Sequence, residues 1–515
     1  MDKKRNNIID AIKGVAILSV AAFHLGWFKW GYWGVDVFYV IAGYFAVRGM
    51  RPGFLKARIE RLLPTMVAAI AVCFILGVCF YLPIQMMDIC RNAVTSCLFV
   101  SNFDLWRTAN DYWATSNELN PMMHFWYLAT LVQFYVVLAV LYWRGEKTWT
   151  KFAIGAAGVV SFGLCVFGIG DAGMRYYLLP WRFWEFAIGV ALFWWPSILK
   201  PFSRMKGDGA MCRILAIPGM MSFSIYVWHQ PIFAFVRYMY ERLFSPMTIV
   251  AMLVALAVVS WLSFRCLERK IVTKPDRMAL VTVYGIVLLG AAAVYFNSGV
   301  SHGIPELGFD FGRYERGFIY KYNDRIRAFT DDFKHDGRIK VLLVGDSYAR
   351  DWGNVLLESS ASNRIDLVYG PGDKPKTWLK LIDDADVIFF SAMLPTPLPK
   401  SLETDRTWVI GTKYYGFSGW VYTRRFTAGY HDIAIELPDD IRERNLNDKK
   451  RYGDRFIDMI GMAQNDDGRV RCFTDDGKFF TIDYGHLSSP GAQCYARMIE
   501  KNGILERVLL NSKGI

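Results

Sequence analysis

Nine apolar stretches follow one another through the first 298 residues, most of them long enough to cross a lipid bilayer. They fall at Ile8–Phe28, Gly31–Val47, Leu62–Leu82, Phe125–Trp143, Phe152–Ile169, Phe183–Trp195, Ile214–Val236, Met247–Leu267 and Ala279–Phe296, with Phe183–Trp195 the shortest. A chain in hydrocarbon must satisfy its own backbone N–H and C=O groups. Apolar runs of this length do so as helices, so residues 1–298 are expected to form a polytopic α-helical membrane bundle of about nine spans. Ile89–Val100 is apolar but too short to cross and is placed at the interface. The first stretch follows a basic start, yet no A-x-A site follows it and a second stretch begins almost at once. It is therefore read as a retained helix rather than a cleaved signal peptide.

Charge gives the orientation. With the N-terminus inside, the inner segments (3–5, 48–61, 144–151, 200–213 and 265–277) hold 20 Lys+Arg and the outer ones 7. An odd number of spans then places the remainder of the chain outside the cytoplasm. The formal charge of +12 has the same origin: residues 1–298 carry 28 Lys+Arg against 15 Asp+Glu, and residues 299–515 carry 31 against 32. A neutral tail without a basic stripe excludes a nucleic-acid partner. A chain that is 53% hydrophobic and 21% charged, with a mean hydropathy of +0.20, is no wholly soluble enzyme, disordered chain, collagen or coiled coil. Nine cysteines without a C-x-x-C pair make neither a disulfide framework nor a metal site, and none is expected. In the tail, Cys472 and Cys494 either pair or pack as free thiols.

After about residue 300 strand-like runs (Lys340–Val344, Asp366–Tyr369, Val387–Ser391, Trp408–Ile410) alternate with helix-like ones (Tyr348–Ser359, Thr377–Asp384, Arg451–Ala463, Pro490–Lys501). That alternation predicts an α/β domain with a parallel sheet. The expected division is 1–270 and 271–298 in the membrane, a polar connector at 299–335, and the α/β domain at 336–515.

Ionisable side chains inside a span are costly, so they mark function. Lys13 and His24 are 11 residues apart. At ~100° per residue that is ~20° from perfect alignment, with a rise of ~16 Å, so both line one face of a helix. Asp36 and His229 lie in other apolar stretches. Arg58 and Arg61 share a basic inner loop and would suit an anionic donor, because arginine offers bidentate phosphate contacts. In the tail, Gly345-Asp346-Ser347 directly follows a predicted strand and opens a helix, and Asp483-Tyr484-Gly485-His486 supplies a D-x-x-H. A serine hydroxyl becomes nucleophilic when an imidazole takes its proton and a carboxylate orients that imidazole.

These residues carry a resemblance. Residues 5–270 resemble the acyltransferase-3 family of integral membrane sugar O-acyltransferases. The matches are Lys13 with His24; Gly34-Val35-Asp36-Val37-Phe38 and Ala42-Gly43-Tyr44; Arg58, Arg61 and Pro64; Asp111-Tyr112 and Asn120-Pro121; His124-Phe125-Trp126-Tyr127-Leu128; and Gln133-Phe134-Tyr135. Further on come Arg182, Trp184, Glu185 and Gly189; then Ser222, Ser224, Tyr226, Trp228, His229 and Pro231; and last Glu268. Leu131 and Val132 stand where the family often carries acidic residues, so no acid–base role transfers there. The tail resembles the SGNH hydrolase/acyltransferase superfamily. That pattern implies Ser347 as nucleophile, His486 as base, Asp483 as its partner and Gly370 or Gly372 as oxyanion-hole glycine. Phe390-Ser391-Ala392 stands where Gly-x-Asn is expected.

The combined resemblance implies an O-acyltransferase in the cytoplasmic (inner) membrane. Acyl-CoA, acetyl-CoA foremost, is its expected donor substrate, docked near Arg58 and Arg61, with no bound cofactor. His24 would act as base or transient carrier, with Lys13, Asp36, His229 and Glu268 as further membrane-domain candidates. Ser347 would pass the acyl group to a hydroxyl of a cell-envelope or extracellular glycan. A membrane-anchored carbohydrate esterase and a polytopic transporter with a binding tail are the alternatives. Alkaline phosphatase fused after Ile515 is expected to be active and a reporter confined to the cytoplasm silent; the opposite pair of results would overturn the orientation.

Overall fold

The computed structural model describes residues 7–511 apart from 109–117, 144, 146–147, 199–208, 241–244, 270–276, 297–303, 309–317 and 335. Asp111 and Tyr112 of the membrane motifs, and His302 and His335 of the connector region, lie outside the described residues. The chain divides into two compact units, Met1–Val300 and Ser301–Ile515.

In the first unit each predicted apolar stretch contains helix, but Ile214–Val236 is broken at Met221 into two helices rather than one. Its helices are α1 (Asn7–His24), α2 (Trp33–Arg48), α3 (Phe54–Phe80), α4 (Pro83–Cys97), α5 (Ser101–Thr108), α6 (Trp126–Leu141), α7 (Thr148–Val166), α8 (Ala172–Tyr177), α9 (Leu179–Trp194), α10 (Ala210–Met220), α11 (Ser222–Met239), α12 (Pro246–Ser263) and α13 (Arg277–Phe296). Among the described residues five segments are long and apolar enough to cross a bilayer: Asn7–His24, Phe54–Phe80, Met123–Leu141, Thr148–Val166 and Pro246–Glu268. The pair α10 and α11, bent by 64°, makes a sixth if it is one span. At 16 residues each, α2 and α9 reach only ~24 Å against a hydrocarbon core of ~30 Å.

Two helix pairs approach backbone to backbone through a glycine on each partner. A Cβ on Gly219 of α10 would sit 1.6 Å from the Asp10 carbonyl oxygen of α1, and one on Gly14 1.9 Å from that of Leu215. Likewise a Cβ on Gly189 of α9 would sit 1.9 Å from the Val40 carbonyl of α2, and one on Gly43 2.2 Å from that of Phe186. Among lipid tails no hydrophobic gain drives helices together, so close van der Waals contact through small residues does.

The second unit is built on a parallel sheet. Its strands are β1 (Ile339–Gly345), β2 (Ile365–Pro371), β3 (Val387–Ser391), β4 (Thr407–Ile410) and β6 (Phe456–Ile457), in the order β2-β1-β3-β4-β6. All four pairings are parallel. A small antiparallel pair, β5 (Ala434–Ile435) with β7 (Val470–Arg471), lies apart from it. The labelled helices of this unit are α14 (Ser347–Glu358), α15 (Asp439–Tyr452) and α16 (Ser489–Lys501). Leu342, Val344, Val368, Ile388, Phe390 and Trp378 form one buried cluster against the sheet. The parallel strands read as near-continuous apolar runs because they are covered on both faces.

One expected helix is corrected. Arg451–Ala463 is not a single helix: α15 ends at Tyr452, Gly453 turns at φ 52°, and Phe456–Ile457 pairs with β4. The helix itself, with the sequence DDIRERNLNDKKRY, has too few apolar residues to show a helical period. Cys472 and Cys494 are both buried free thiols.

Gly219→Ala is expected to force α1 and α10 apart at an overpacking cost of about 1–3 kcal/mol, lowering the thermal midpoint in detergent. Gly285→Ala, where a Cβ meets nothing within 4 Å, should leave it unchanged or higher. Equal midpoints would mean that the two helices do not meet at these glycines.

Candidate active site

The sheet order places the tail's candidate nucleophile. In a 2-1-3-4 order the chain leaves β1 to one side for β2 and returns on the other for β3, which opens a crevice at the carboxyl end of β1. Ser347 stands there, as the first residue of α14. Gly345 turns the chain at φ 144°, and a Cβ on it would sit 1.9 Å from the Ser391 carbonyl oxygen. Asp346 then caps the helix: Oδ1 accepts from the Tyr348 N–H at 2.9 Å and Oδ2 from the Met393 N–H at 2.7 Å. Both its oxygens hold the turn.

Three residues predicted from sequence come together here. His486 Nε2 is 2.8 Å from Ser347 Oγ, and its Nδ1 is 2.6 Å from Asp483 Oδ2. A carboxylate only accepts, so Nδ1 carries the hydrogen and Nε2 faces the serine as a lone pair. Asp483 Oδ1 accepts from the backbone N–H groups of Gly485 at 2.8 Å and His486 at 2.9 Å, and from Thr481 Oγ1 at 2.8 Å. This geometry fits a proton leaving Ser347 for His486 as the hydroxyl attacks a carbonyl carbon.

The environment tunes the base. Burial disfavours the charged imidazole, but the hydrogen bond and charge of Asp483 outweigh it, Asp351 adds to them and Lys413 opposes. The net effect raises His486 above its ordinary value near 6.5. Burial alone would raise Asp483; the hydrogen bond and charge of His486 and the two backbone N–H groups hold it well below the usual carboxylate range. The Asp483 side chain is 42% exposed, so water screens part of this coupling.

The oxyanion candidates are placed differently from one another. The Gly372 N–H donates to the Gly345 carbonyl at 2.9 Å. Gly370 lies within β2 opposite Val344, with the Trp378 side chain against it. Ser391 ends β3 and donates its hydroxyl to the Ile410 carbonyl at 3.3 Å. The Ser347 N–H, at the first helical position, has no intrahelical acceptor and is a donor available beside its own Oγ. His431 is exposed.

In the membrane unit the singled-out residues fall into separate groups. His24, at the end of α1, has its ring 5.1 Å from that of buried His229. Arg237 donates to the His24 carbonyl. Asp36 of α2 pairs with Arg182 of α9 at 2.9 Å, and Arg182 also holds Glu185 at 2.9 Å; the glycine contacts between these helices permit that approach. Arg61 lies 3.5 Å from Glu268, which accepts from Ser224 at 3.0 Å. Arg58 donates to the Phe45 carbonyl at 2.7 Å and lies over the rings of Phe54 and Tyr135. Lys13 is 3.6 Å from Asp10 and 5.5 Å from the Phe45 ring centroid.

One residue of the histidine group was missed as a site candidate. His124 is 2% exposed, with its ring 5.1 Å from that of His229. His124 Nε2 lies 3.1 Å from the Val227 carbonyl, and His229 Nδ1 lies 2.6 Å from that of Tyr226. Carbonyls only accept, so these nitrogens carry the hydrogens. That leaves lone pairs on His124 Nδ1 and His229 Nε2, both buried without a hydrogen-bond partner among the described residues. His124 stands one residue before the apolar stretch Phe125–Trp143, so the rule that marks an imidazole inside a stretch points to His24 and His229 but not to it.

A helical unit with apolar segments of membrane length, buried charge pairs and grouped histidines is that of a membrane protein. Residues 6–192 match the family described as Acyltransferase domain. This unit therefore carries an acyltransferase-3 domain, and the chain is an acyltransferase of groups other than aminoacyl groups. It is 26% identical over 325 residues to a Komagataeibacter xylinus protein provisionally named membrane-bound transacylase BcsY, covering 52% of this chain and 83% of that one. It is 27% identical over 242 residues to the peptidoglycan O-acetyltransferase OatA of Listeria monocytogenes, covering 42% of this chain and 38% of OatA. It is 24% identical over 473 residues to SACOL0978 of Staphylococcus aureus, provisionally named an O-acetyltransferase, covering 70% of this chain and 76% of that one. That last share exceeds the whole first unit, so the likeness extends into the tail. No solved structure matches.

Ser347 phosphonylation by a fluorophosphonate, followed by mass spectrometry on the full-length protein in detergent, reads the base directly. The base must be neutral, so the rate should rise with pH through a midpoint above about 6.5. Asp483→Asn should move that midpoint down and slow labelling by up to roughly 10⁴-fold, because the amide favours the wrong tautomer. An unshifted midpoint would detach Asp483 from His486.

Proposed function

We propose that this acyltransferase moves an acyl group, acetyl foremost, from cytoplasmic acyl-CoA to a hydroxyl of a cell-envelope or extracellular glycan. The tail would accept and deliver that group. The observation that carries the reading is the hydrogen-bonded series Ser347–His486–Asp483 in a chain whose other unit is an acyltransferase domain. A serine with its base and orienting acid handles acyl groups. An acyltransferase domain on the same chain supplies a reason for one to arrive. The likeness to OatA, a peptidoglycan O-acetyltransferase, supports a glycan acceptor and an acetyl group.

With His24 as transient carrier, an imidazole nitrogen bonds to the thioester carbon, the C–S bond breaks and CoA leaves as the thiol with the imidazole's proton; Ser347 Oγ then attacks that carbon, the C–N bond to His24 breaks and the serine proton passes to His486. With His24 as base, it takes the proton of the hydroxyl that attacks the thioester and gives it to the departing CoA thiolate, and the acyl group again ends as an ester on Ser347 Oγ. A sugar hydroxyl then attacks that ester; His486 takes its proton and returns it to Ser347 as the C–O bond to the serine breaks. Arg58 and Arg61 are proposed to hold the donor's phosphates. The exposed side chain of Arg61 and the inner-side basic excess support that placement. We place the protein in the inner membrane, with nine spans and an SGNH-like tail outside.

Mass spectrometry of the peptide containing Ser347, in cells making the glycan, tests the relay. Acyl-Ser347 is expected in wild type and absent in His24→Ala, while Ser347→Ala and His486→Ala both abolish glycan acylation. Equal acyl-Ser347 with and without His24 would remove His24 from the path and favour the esterase.

A further inference from the structure

Behind the nucleophile lies a buried ion pair that the chemistry above does not use. Asp351 is fully buried on α14, one turn beyond Ser347, and Lys413, 2% exposed, follows β4. Lys413 Nζ donates to Asp351 Oδ2 at 2.7 Å. The same oxygen accepts from the Leu487 N–H at 3.1 Å, one residue past the catalytic histidine. Asp351 Oδ1 accepts from Asn323 Nδ2 at 2.5 Å, and that amide also donates to the Ser347 carbonyl at 2.9 Å. Lys413 Nζ sits 3.9 Å from the Tyr348 ring centroid, and the Tyr348 ring stands edge-on to His486 at 5.6 Å.

Two charges taken out of water cost several kcal/mol each, and an apolar pair of the same volume is often equally stable or more so. Stability is therefore a weak reason for this pair. Its connections are a better one: a single carboxylate ties the helix that starts with Ser347 to the loop that carries His486, residues 139 positions apart. We infer that Lys413 and Asp351 are a positioning pair that holds the loop of His486 against the helix of Ser347 and sets the charge the imidazole meets from behind. The charged and titratable groups facing His486 include Asp483 from its own loop, Tyr348 and Asp351 from α14, and Lys413 from the segment after β4. Asp351 favours the charged imidazole and Lys413 opposes it, so the pair's two members act on the base in opposite senses. The inference rests on the reading of Ser347, His486 and Asp483 as a catalytic group.

The pH profile of Ser347 phosphonylation in the full-length protein tests it. In that labelling a P–O bond to Ser347 forms, the P–F bond breaks, fluoride leaves and the serine proton goes to His486. Lys413→Met should raise the midpoint and Asp351→Asn lower it, each by about half a pH unit to one unit. A purely structural role would slow labelling without moving the midpoint in opposite directions. Either single change leaves a buried charge unpaired and can unfold the domain, so Asp351→Asn combined with Lys413→Met provides the second arm. The double variant should fold, with its midpoint back near wild type because the opposed influences leave together. Labelling with unmoved midpoints, or a double variant shifted as far as a single one, overturns the inference. No labelling of wild-type Ser347 at any pH would instead sink the catalytic reading beneath it.

Discussion

The tail depends on one strand-to-helix turn. Gly345 has a backbone angle that disfavours a side chain and lies where a side chain has no room. Asp346 uses one oxygen to cap α14 and the other to hold the backbone after β3. Ser347 is thereby fixed at the end of the central strand pair, with its hydroxyl free to meet a base from elsewhere. Remove the turn and the parallel sheet remains possible, but the serine no longer sits where the strand order opens the crevice.

The membrane unit solves a different problem with the same economy of parts. Hydrocarbon offers no water to satisfy a charge, so Arg182 answers Asp36 and Glu185 together, and Glu268 draws on Arg61 and Ser224. Such contacts need helices closer than large side chains permit, and glycines on α1, α2, α9 and α10 supply the approach. Packing and charge placement are thus one design: the glycine contacts of α2 and α9 bring Asp36 within reach of Arg182.

Much of this was legible beforehand. Helical stretches in the first half follow from apolar length, since backbone in lipid has few alternatives. The parallel sheet follows from strand–helix alternation, and Ser347, His486 and Asp483 from residue chemistry joined to a turn signal. What escaped had no local signature. α15 is too polar to show a period, and Phe456–Ile457 is a strand only because β4 lies beside it. His124 drew no notice as a site because its closeness to His229 is made by folding. Asp351 and Lys413 are ordinary charges in the sequence; their burial and pairing belong to the tertiary structure.

The distance along the chain between Ser347 and His486 has a bearing on the protein's birth. The ribosome makes the serine 139 residues before its imidazole partner, and the orienting aspartate arrives only three positions ahead of that partner. For most of the tail's synthesis the hydroxyl is therefore an idle alcohol. On the role proposed for Ser347, the growing chain stays silent toward any acyl group it meets until the loop of His486 is laid against α14.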